Sequence, residues 1–324
     1  MNRRRFIVIA GSALVVPTVV AQIAKVWRIG YLASSPPRAN EHALAAFRNG
    51  MRELGYVEGK NLSIEYRWTD DDVAGLPALA RELVERKVDL ILAWTTPVVL
   101  AARAATSSIP IVMVGIADPV GSGLVKSLSR PGGNITGVSN ISAELSQKLV
   151  ELVVQVIPGI KMLAGMRNAR NVSSALQLKE TEAAAKVLGL KFQPFEVRVP
   201  ADLEAAFLAM ASARAEAVVF FADPLWVSQR ERIAELALRH RMPSMFARVE
   251  NVEAGGLMAY GSNLTTQFHR TAALVDRVFK GAKPADIPVE RPTTLELALN
   301  ARTAKALGLT IPRSVLLRAD RVIE

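Results

Sequence analysis

The 324-residue chain contains no cysteine. Disulfides, thiolate nucleophiles, cysteine-based zinc sites and a lipidated N-terminal cysteine are thereby excluded. Histidine is scarce as well. His42, His240 and His269 stand far apart, and none sits in a metal spacing such as HExxH. Neither GxSxG nor GxGxxG occurs. Gly55-x-x-x-Gly59-Lys60 is one residue short of a phosphate loop and lacks the Ser or Thr that should follow, and Gly121-Ser122-Gly123 reads as a flexible turn. With no acid, base and nucleophile in a recognisable constellation, the expectation is a protein that is not an enzyme and carries no cofactor or metal. Aromatic residues make up only 6% of the chain, whereas half of it is hydrophobic. The dominance of Ala, Val and Leu suits alternating helices and buried strands.

The formal net charge is +10. The basic residues alternate with acidic ones along helical stretches, as in Glu85-Arg86-Lys87 and Arg230-Glu231-Arg232. Such spacing makes solvated helix faces with i,i+4 pairs rather than a nucleic-acid surface. No basic run interleaves with aromatics, so no nucleic-acid partner is expected. The N-terminus reads as a targeting segment. Arg3-Arg4-Arg5 precedes an uncharged apolar run, Pro17 interrupts it, and Val19-Val20-Ala21 offers small residues at a cleavage site. Residues 1–21 are therefore expected to be a cleaved signal peptide, resembling the twin-arginine type although Asn2 replaces its usual Ser or Thr. The alternative is an uncleaved anchor, because residues 6–24 carry no charge over a length near that of a bilayer.

The most informative stretch is residues 88–123. It reads as strand, polar turn, helix, strand, polar turn, with Pro97 at the helix start and Pro110 before the second strand. Strands are also expected at 28–32, 62–68, 134–138, 161–166, 192–197, 217–221, 244–247, 255–261 and 295–299. Helices are expected at 41–54, 76–87, 98–105, 142–157, 174–188, 202–213 with Asp202 as N-cap, 226–239, 265–279 and 301–307. Strands begin near 28, 62 and 90, and again with similar spacing near 161, 192 and 217. Asp118-Pro119 and Asp223-Pro224 follow corresponding buried strands. This internal repeat predicts an α/β fold of two similar, doubly wound, Rossmann-like lobes with a cleft between them. The expected division is lobe 1 at 26–140, lobe 2 at 141–250, a return to lobe 1 at 251–283, and a C-terminal segment at 284–324 of open lobe assignment.

In an open parallel sheet, ligands bind at the carboxyl ends of the strands. The polar groups expected there are Ser34, Ser35, Thr95, Thr96, Asp118, Asn168, Asn171, Ser173 and Asp223. Hydroxyls beside helix N-termini suit a carboxylate and an Asp suits an ammonium, so an amino-acid-like zwitterion fits both. Helix capping is the competing role for Thr95, Thr96 and Ser173. Trp226 and Tyr260 can stack on a ligand or fill the core.

Several long motifs resemble one family: FRNGMRELGYVEGKNLSIEYRW at 47–68, IPIVMVGIADPVGSGLVKSLSRPGGNITG at 109–137, SALQLKETEAAAKVLGL at 174–190, GGLMAYGSNL at 255–264 and GAKPADIPVERPTTLELALNARTAKALGLTIP at 281–312. The chain resembles ABC-transporter substrate-binding proteins of the type I periplasmic-binding fold, the group that includes tryptophan- and tyrosine-binding proteins. The resemblance implies a monomeric, soluble periplasmic receptor that closes around a small ligand and delivers it to an ABC permease in the inner membrane. It implies ligand groups at Ser34-Ser35, Thr95-Thr96, Asp118, Asn168 and the loop after it, Asp223, and Tyr260-Gly261. The chain departs from the family's Asn-Pro-x-Asn-Pro-x-Ser at 168–174, where both prolines are missing and Arg170 is present. A sensory binding module and an enzyme on the same scaffold are the two other function classes.

Overall fold

The computed structural model describes residues 25–324. The expected signal peptide lies outside the described residues. Five strands form the first sheet: β1 (Trp27–Ala33), β2 (Leu62–Trp68), β3 (Leu90–Trp94), β4 (Ile111–Ile116) and β5 (Ile135–Ser139). Their order is β2-β1-β3-β4-β5 and every pairing is parallel. β3 and β4 are apolar along their whole length because helices cover both faces, and every one of their residues is buried.

The second sheet contains β6 (Met162–Asn168), β7 (Lys191–Val197), β8 (Ala217–Phe220), β9 (Ser244–Phe246), β10 (Met258–Gly261), β11 (Glu296–Asn300) and β12 (Arg321–Ile323). The order is β12-β11-β10-β9-β8-β6-β7, parallel except where β10 meets β11. Read from its β7 edge, this sheet runs β7-β6-β8-β9-β10, the same winding as the first. The internal repeat is thus two doubly wound lobes of one topology, the second extended by β11 and β12. Each lobe has its own core. Phe47 and Met51 of the helix Glu41–Glu53 pack with Phe268 and Val275 in one. In the other, Phe220 stacks on Phe246 with ring centroids 4.6 Å apart.

Over the described residues the chain passes between the lobes three times, near residues 140, 262 and 292. The expected return to lobe 1 at 251–283 is corrected here. β10 stays in the second sheet, where it pairs with β9 and β11, and only the helix Leu264–Phe279 goes back to the first core. Ile287 and Glu290 remain with lobe 1, Ser139 N donating to Glu290 O at 2.8 Å, before β11 and β12 complete lobe 2. The single helix expected at 226–239 is two, Pro224–Ser228 and Arg230–Arg239, meeting at Gln229. Asp202 does not cap forward; its carboxylate turns back to the N–H groups of Arg198 and Val199 at 2.8 and 3.2 Å.

Candidate functional site

The winding creates a switch point in each lobe, between β1 and β3 and between β6 and β8, where successive helices leave on opposite faces. Four expected residues follow those strands: Ser34 after β1, Thr95 after β3, Asn168 at the end of β6 and Asp223 after β8. One cavity lies between the lobes at these ends, lined by Thr95 and Thr96 from lobe 1 and Asn171, Ser173 and Asp223 from lobe 2. A neighbouring one takes in Ser34 and Asn168.

On the lobe 1 side, Thr95 has φ +85° and ψ 154°, a conformation L-residues rarely adopt. Its hydroxyl is buried with no hydrogen-bond partner and does not cap the helix Thr96–Ala105. On the lobe 2 side the polar groups form one network around Asp223. Asn168 Nδ2 donates to Asp223 Oδ1 at 3.1 Å, and Asn171 Nδ2 donates to Oδ2 at 2.8 Å. Leu225 N donates to Oδ1 at 2.9 Å, so Asp223 also caps the helix Pro224–Ser228. Ser173 donates to Asn171 Oδ1 at 2.7 Å and holds that amide in place. Ser173 thus orients the loop rather than capping a helix. Burial pushes the Asp223 carboxyl up, against the opposing pull of Asn171, the Leu225 N–H and Asn168.

Sequence reasoning missed Arg248. It follows β9, is 7% exposed, and lines the same cavity as Asp223. The signal that marks it is its place at a strand's carboxyl end, the criterion that selects Thr95 and Asp223. Burial lowers its guanidinium from the ordinary value, with Glu250 pulling the other way. The cavity therefore brings together a buried cation and a buried carboxylate, neither in an ion pair among the described residues.

Several expected ligand groups do other work. Asp118 accepts from Gly121 N at 2.8 Å and closes its own turn; Ala117, not Asp118, lines the cavity. Ser35 is fully buried and accepts from Asn40 Nδ2 at 3.2 Å. Tyr260 packs on the lobe 2 core, and Gly261 lies beside Arg248. Trp226 is core: its indole N–H donates to Phe221 O and its ring meets Phe220 edge-on at 5.4 Å.

The lobes touch across the cleft mouth. Asp71 accepts from Ser228 Oγ at 2.8 Å and from Gln229 Nε2 at 3.4 Å, and Arg170 pairs with Asp72. Arg170, the residue that departs from the family pattern, thus bridges the lobes. The cavity that holds Arg248 and Asp223 is only about 20 Å³, room for little more than a water, whereas the space at the cleft mouth beside Asp71, Ser228 and Gln229 is about 570 Å³, so a larger ligand reaches the inner cavity only when the lobes part.

His42 of lobe 1 faces Glu250 of lobe 2 at 3.5 Å. The hydrogen bond to Glu250 holds His42 above its ordinary value against desolvation; Glu253 adds to this and Arg230 opposes it. Burial opposes the Glu250 charge, but His42 and Arg248 keep that carboxyl low. A histidine raised in the folded state stabilises fully below its unfolded pKa and loses that contribution as pH rises through its folded pKa. Thermal unfolding of the wild type and His42→Gln between about pH 5.5 and 8.5 is expected to show a gap that narrows as pH rises. A constant gap would remove His42 from the lobe contact.

Residues 37–323 match the family described as ABC transporter substrate binding protein. The chain belongs to this family. A tyrosine-binding protein of Clostridioides difficile (strain R20291) is 28% identical over 269 residues, covering 83% of this chain and 77% of that protein. A Streptococcus pneumoniae ABC domain in complex with L-Trp is 29% identical with a TM-score of 0.84, over 92% of this chain and 99% of that one. The ligand-free, open structure of a substrate binding protein with adhesive properties from Clostridium difficile is 25% identical with a TM-score of 0.65, over the same shares. Among the described residues, no helix of this family member is long and apolar enough to cross a membrane, and no group of three His, Cys, Asp or Glu residues could hold a metal.

Proposed function

We propose that this protein is the extracytoplasmic receptor of an ABC importer, which closes its two lobes around a small amino acid or related carboxylate. It acts in the periplasm as a monomer and hands its ligand to a permease in the inner membrane. The observation that carries this reading is the interlobe cavity at both switch points, where Arg248 and Asp223 present opposite charges without ion-pair partners. A zwitterion supplies the missing partner to each. The similarity to the L-Trp complex exceeds that to the open structure at comparable identity, TM-scores 0.84 and 0.65, which supports a closed arrangement of the lobes here. The basic, apolar, small-residue N-terminus supports export.

The test is a thermal-shift screen of the twenty L-amino acids on the chain from residue 22, followed by small-angle scattering with the best binder. A binder at 100 times its Kd adds about 2.7 kcal/mol to stability. The radius of gyration is expected to fall on binding, because free receptor in solution samples open states that the ligand depletes. No thermal shift with any amino acid would overturn the ligand class, and an unchanged scattering profile at saturation would overturn closure.

A further inference from the structure

The guanidinium of Arg248 is buried, and Glu250, the carboxylate whose charge acts on it, makes no contact with it. Its Nη1 donates to Ser262 O and Gln267 Oε1, both neutral acceptors at the long distance of 3.4 Å. Among the described residues no carboxylate comes within ion-pair distance of it. A buried charge left in this condition is costly unless another group completes its hydrogen bonding. A second orphan lies opposite. The Trp94 indole Nε1, in a residue 2% exposed at the end of β3, has no acceptor. The Thr95 hydroxyl beside it has no partner either.

These donors converge. Gly115 has φ +64°, and a Cβ placed on it would lie 3.1 Å from Arg248 Nη2 and 3.4 Å from Trp94 Nε1. The residue that carries no side chain is the one around which a lobe 2 cation and a lobe 1 donor meet. The arrangement is held at the interlobe connections. Gln267 Nε2 donates to Ser262 Oγ at 2.8 Å and to Ser139 O at 3.3 Å, so the support of Arg248 reaches two of the three crossings.

We propose that Arg248 receives the ligand's carboxylate, with the Trp94 indole N–H and the Thr95 hydroxyl completing its hydrogen bonds, so that this one anionic group joins the two lobes. The proposal rests on the receptor reading above and assigns the anionic pole of that same site. A planar guanidinium with two further single donors matches a carboxylate monoanion. Asp223 lines the same cavity and repels a multiply charged anion, so the ligand is one whose negative charge is balanced by its own cationic group.

The experiment compares each L-amino acid with its carboxamide, which keeps the ammonium and the side chain, by calorimetric titration. In the wild type, the acid of the best-binding pair is expected to bind at least about 30-fold more tightly than the amide. Arg248→Gln is expected to erase that preference by weakening the acid about 30-fold and the amide less than about threefold. Trp94→Phe keeps the ring against Phe268, whose centroid is 6.2 Å away, and is expected to cost the acid about fivefold, the size of one hydrogen bond, and the amide nothing. If Arg248→Gln does not fold, Trp94→Phe carries the same comparison. An unchanged acid-to-amide ratio in the folded variants would overturn the assignment, even if both affinities fell. Amides that bind as tightly as acids and still compact the wild type would leave the receptor reading standing and this one overturned. If neither series binds, both are overturned.

Discussion

Asp223→Ala is expected to weaken amino-acid binding by roughly 2–5 kcal/mol, the range for truncating one side of a buried charge pair. The same change should also lower stability. It removes the cap of the helix Pro224–Ser228 and leaves the Asn168 and Asn171 amides without their acceptor. Such losses are worth on the order of 1–3 kcal/mol. The two effects are separated by Asp223→Asn, which retains a carbonyl oxygen for the Leu225 N–H but no negative charge. This variant turns an amide N–H toward the Asn171 Nδ2 donor, so it is expected to lose some stability, though less than Asp223→Ala, and still to lose most of its affinity. Wild-type affinity in folded Asp223→Asn, measured by calorimetric titration, would remove Asp223 from the ammonium pole. Protonation acts like the substitution. Because burial raises the Asp223 carboxyl, affinity is expected to fall as pH drops through a folded pKa above the ordinary carboxylate range.

The largest expected effect on stability is at Gly137, in β5. Its φ is +146°, and a Cβ there would lie 2.0 Å from Met113 O and 2.6 Å from Met113 N. Both are backbone atoms of β4 and cannot rotate aside. Gly137→Ala must push the two strands apart at the place where their register already shifts, between Met113 and Ile116. The expected cost is about 3 kcal/mol, the upper end of ordinary overpacking. It should appear as a lower denaturation midpoint with an unchanged slope. Gly133→Ala is the control, since a Cβ at that position meets nothing within 4 Å. It is expected to change stability by less than about 0.5 kcal/mol. Because β4 contains Gly115 and leads directly into Ala117, affinity should fall with stability in Gly137→Ala. A midpoint equal to that of Gly133→Ala would show that β4 and β5 can yield.

The parts of this fold legible in sequence are those governed by local patterns. The residues of β2 stand out because Leu62, Ile64 and Tyr66 alternate, and β3 and β4 because they are unbroken apolar runs. The doubling of the fold shows in strand spacing alone. Where pairing partners are distant, the pattern fails. Nothing within residues 255–261 tells which sheet β10 joins, since that depends on β9 and β11. The three residues of β12, two of them exposed, carry no periodicity. The two Asp-Pro pairs look alike as sequence. Only three-dimensional surroundings separate Asp118, which turns back to Gly121, from Asp223, which two asparagines steer into the cleft. Arg248 is hidden for the opposite reason. An arginine between Ala247 and Val249 looks like a solvated helix start, and its burial without an ion-pair contact exists only after folding.

The three crossings between the lobes also order events during synthesis. The helix Leu264–Phe279 fills the face of lobe 1 that Phe47 and Met51 present, more than two hundred residues upstream. Glu290 then adds its backbone to β5, and β11 and β12 follow it into lobe 2. Neither lobe is complete when the ribosome has finished the stretch that supplies most of it. Lobe 1 waits for residues near 290 and lobe 2 for the last strand, Arg321–Ile323. Such long-range closure makes folding slow and leaves the apolar edge of each half uncovered until late. The nascent chain thus remains unfinished for nearly the whole of its synthesis, and its two halves become independent lobes only together.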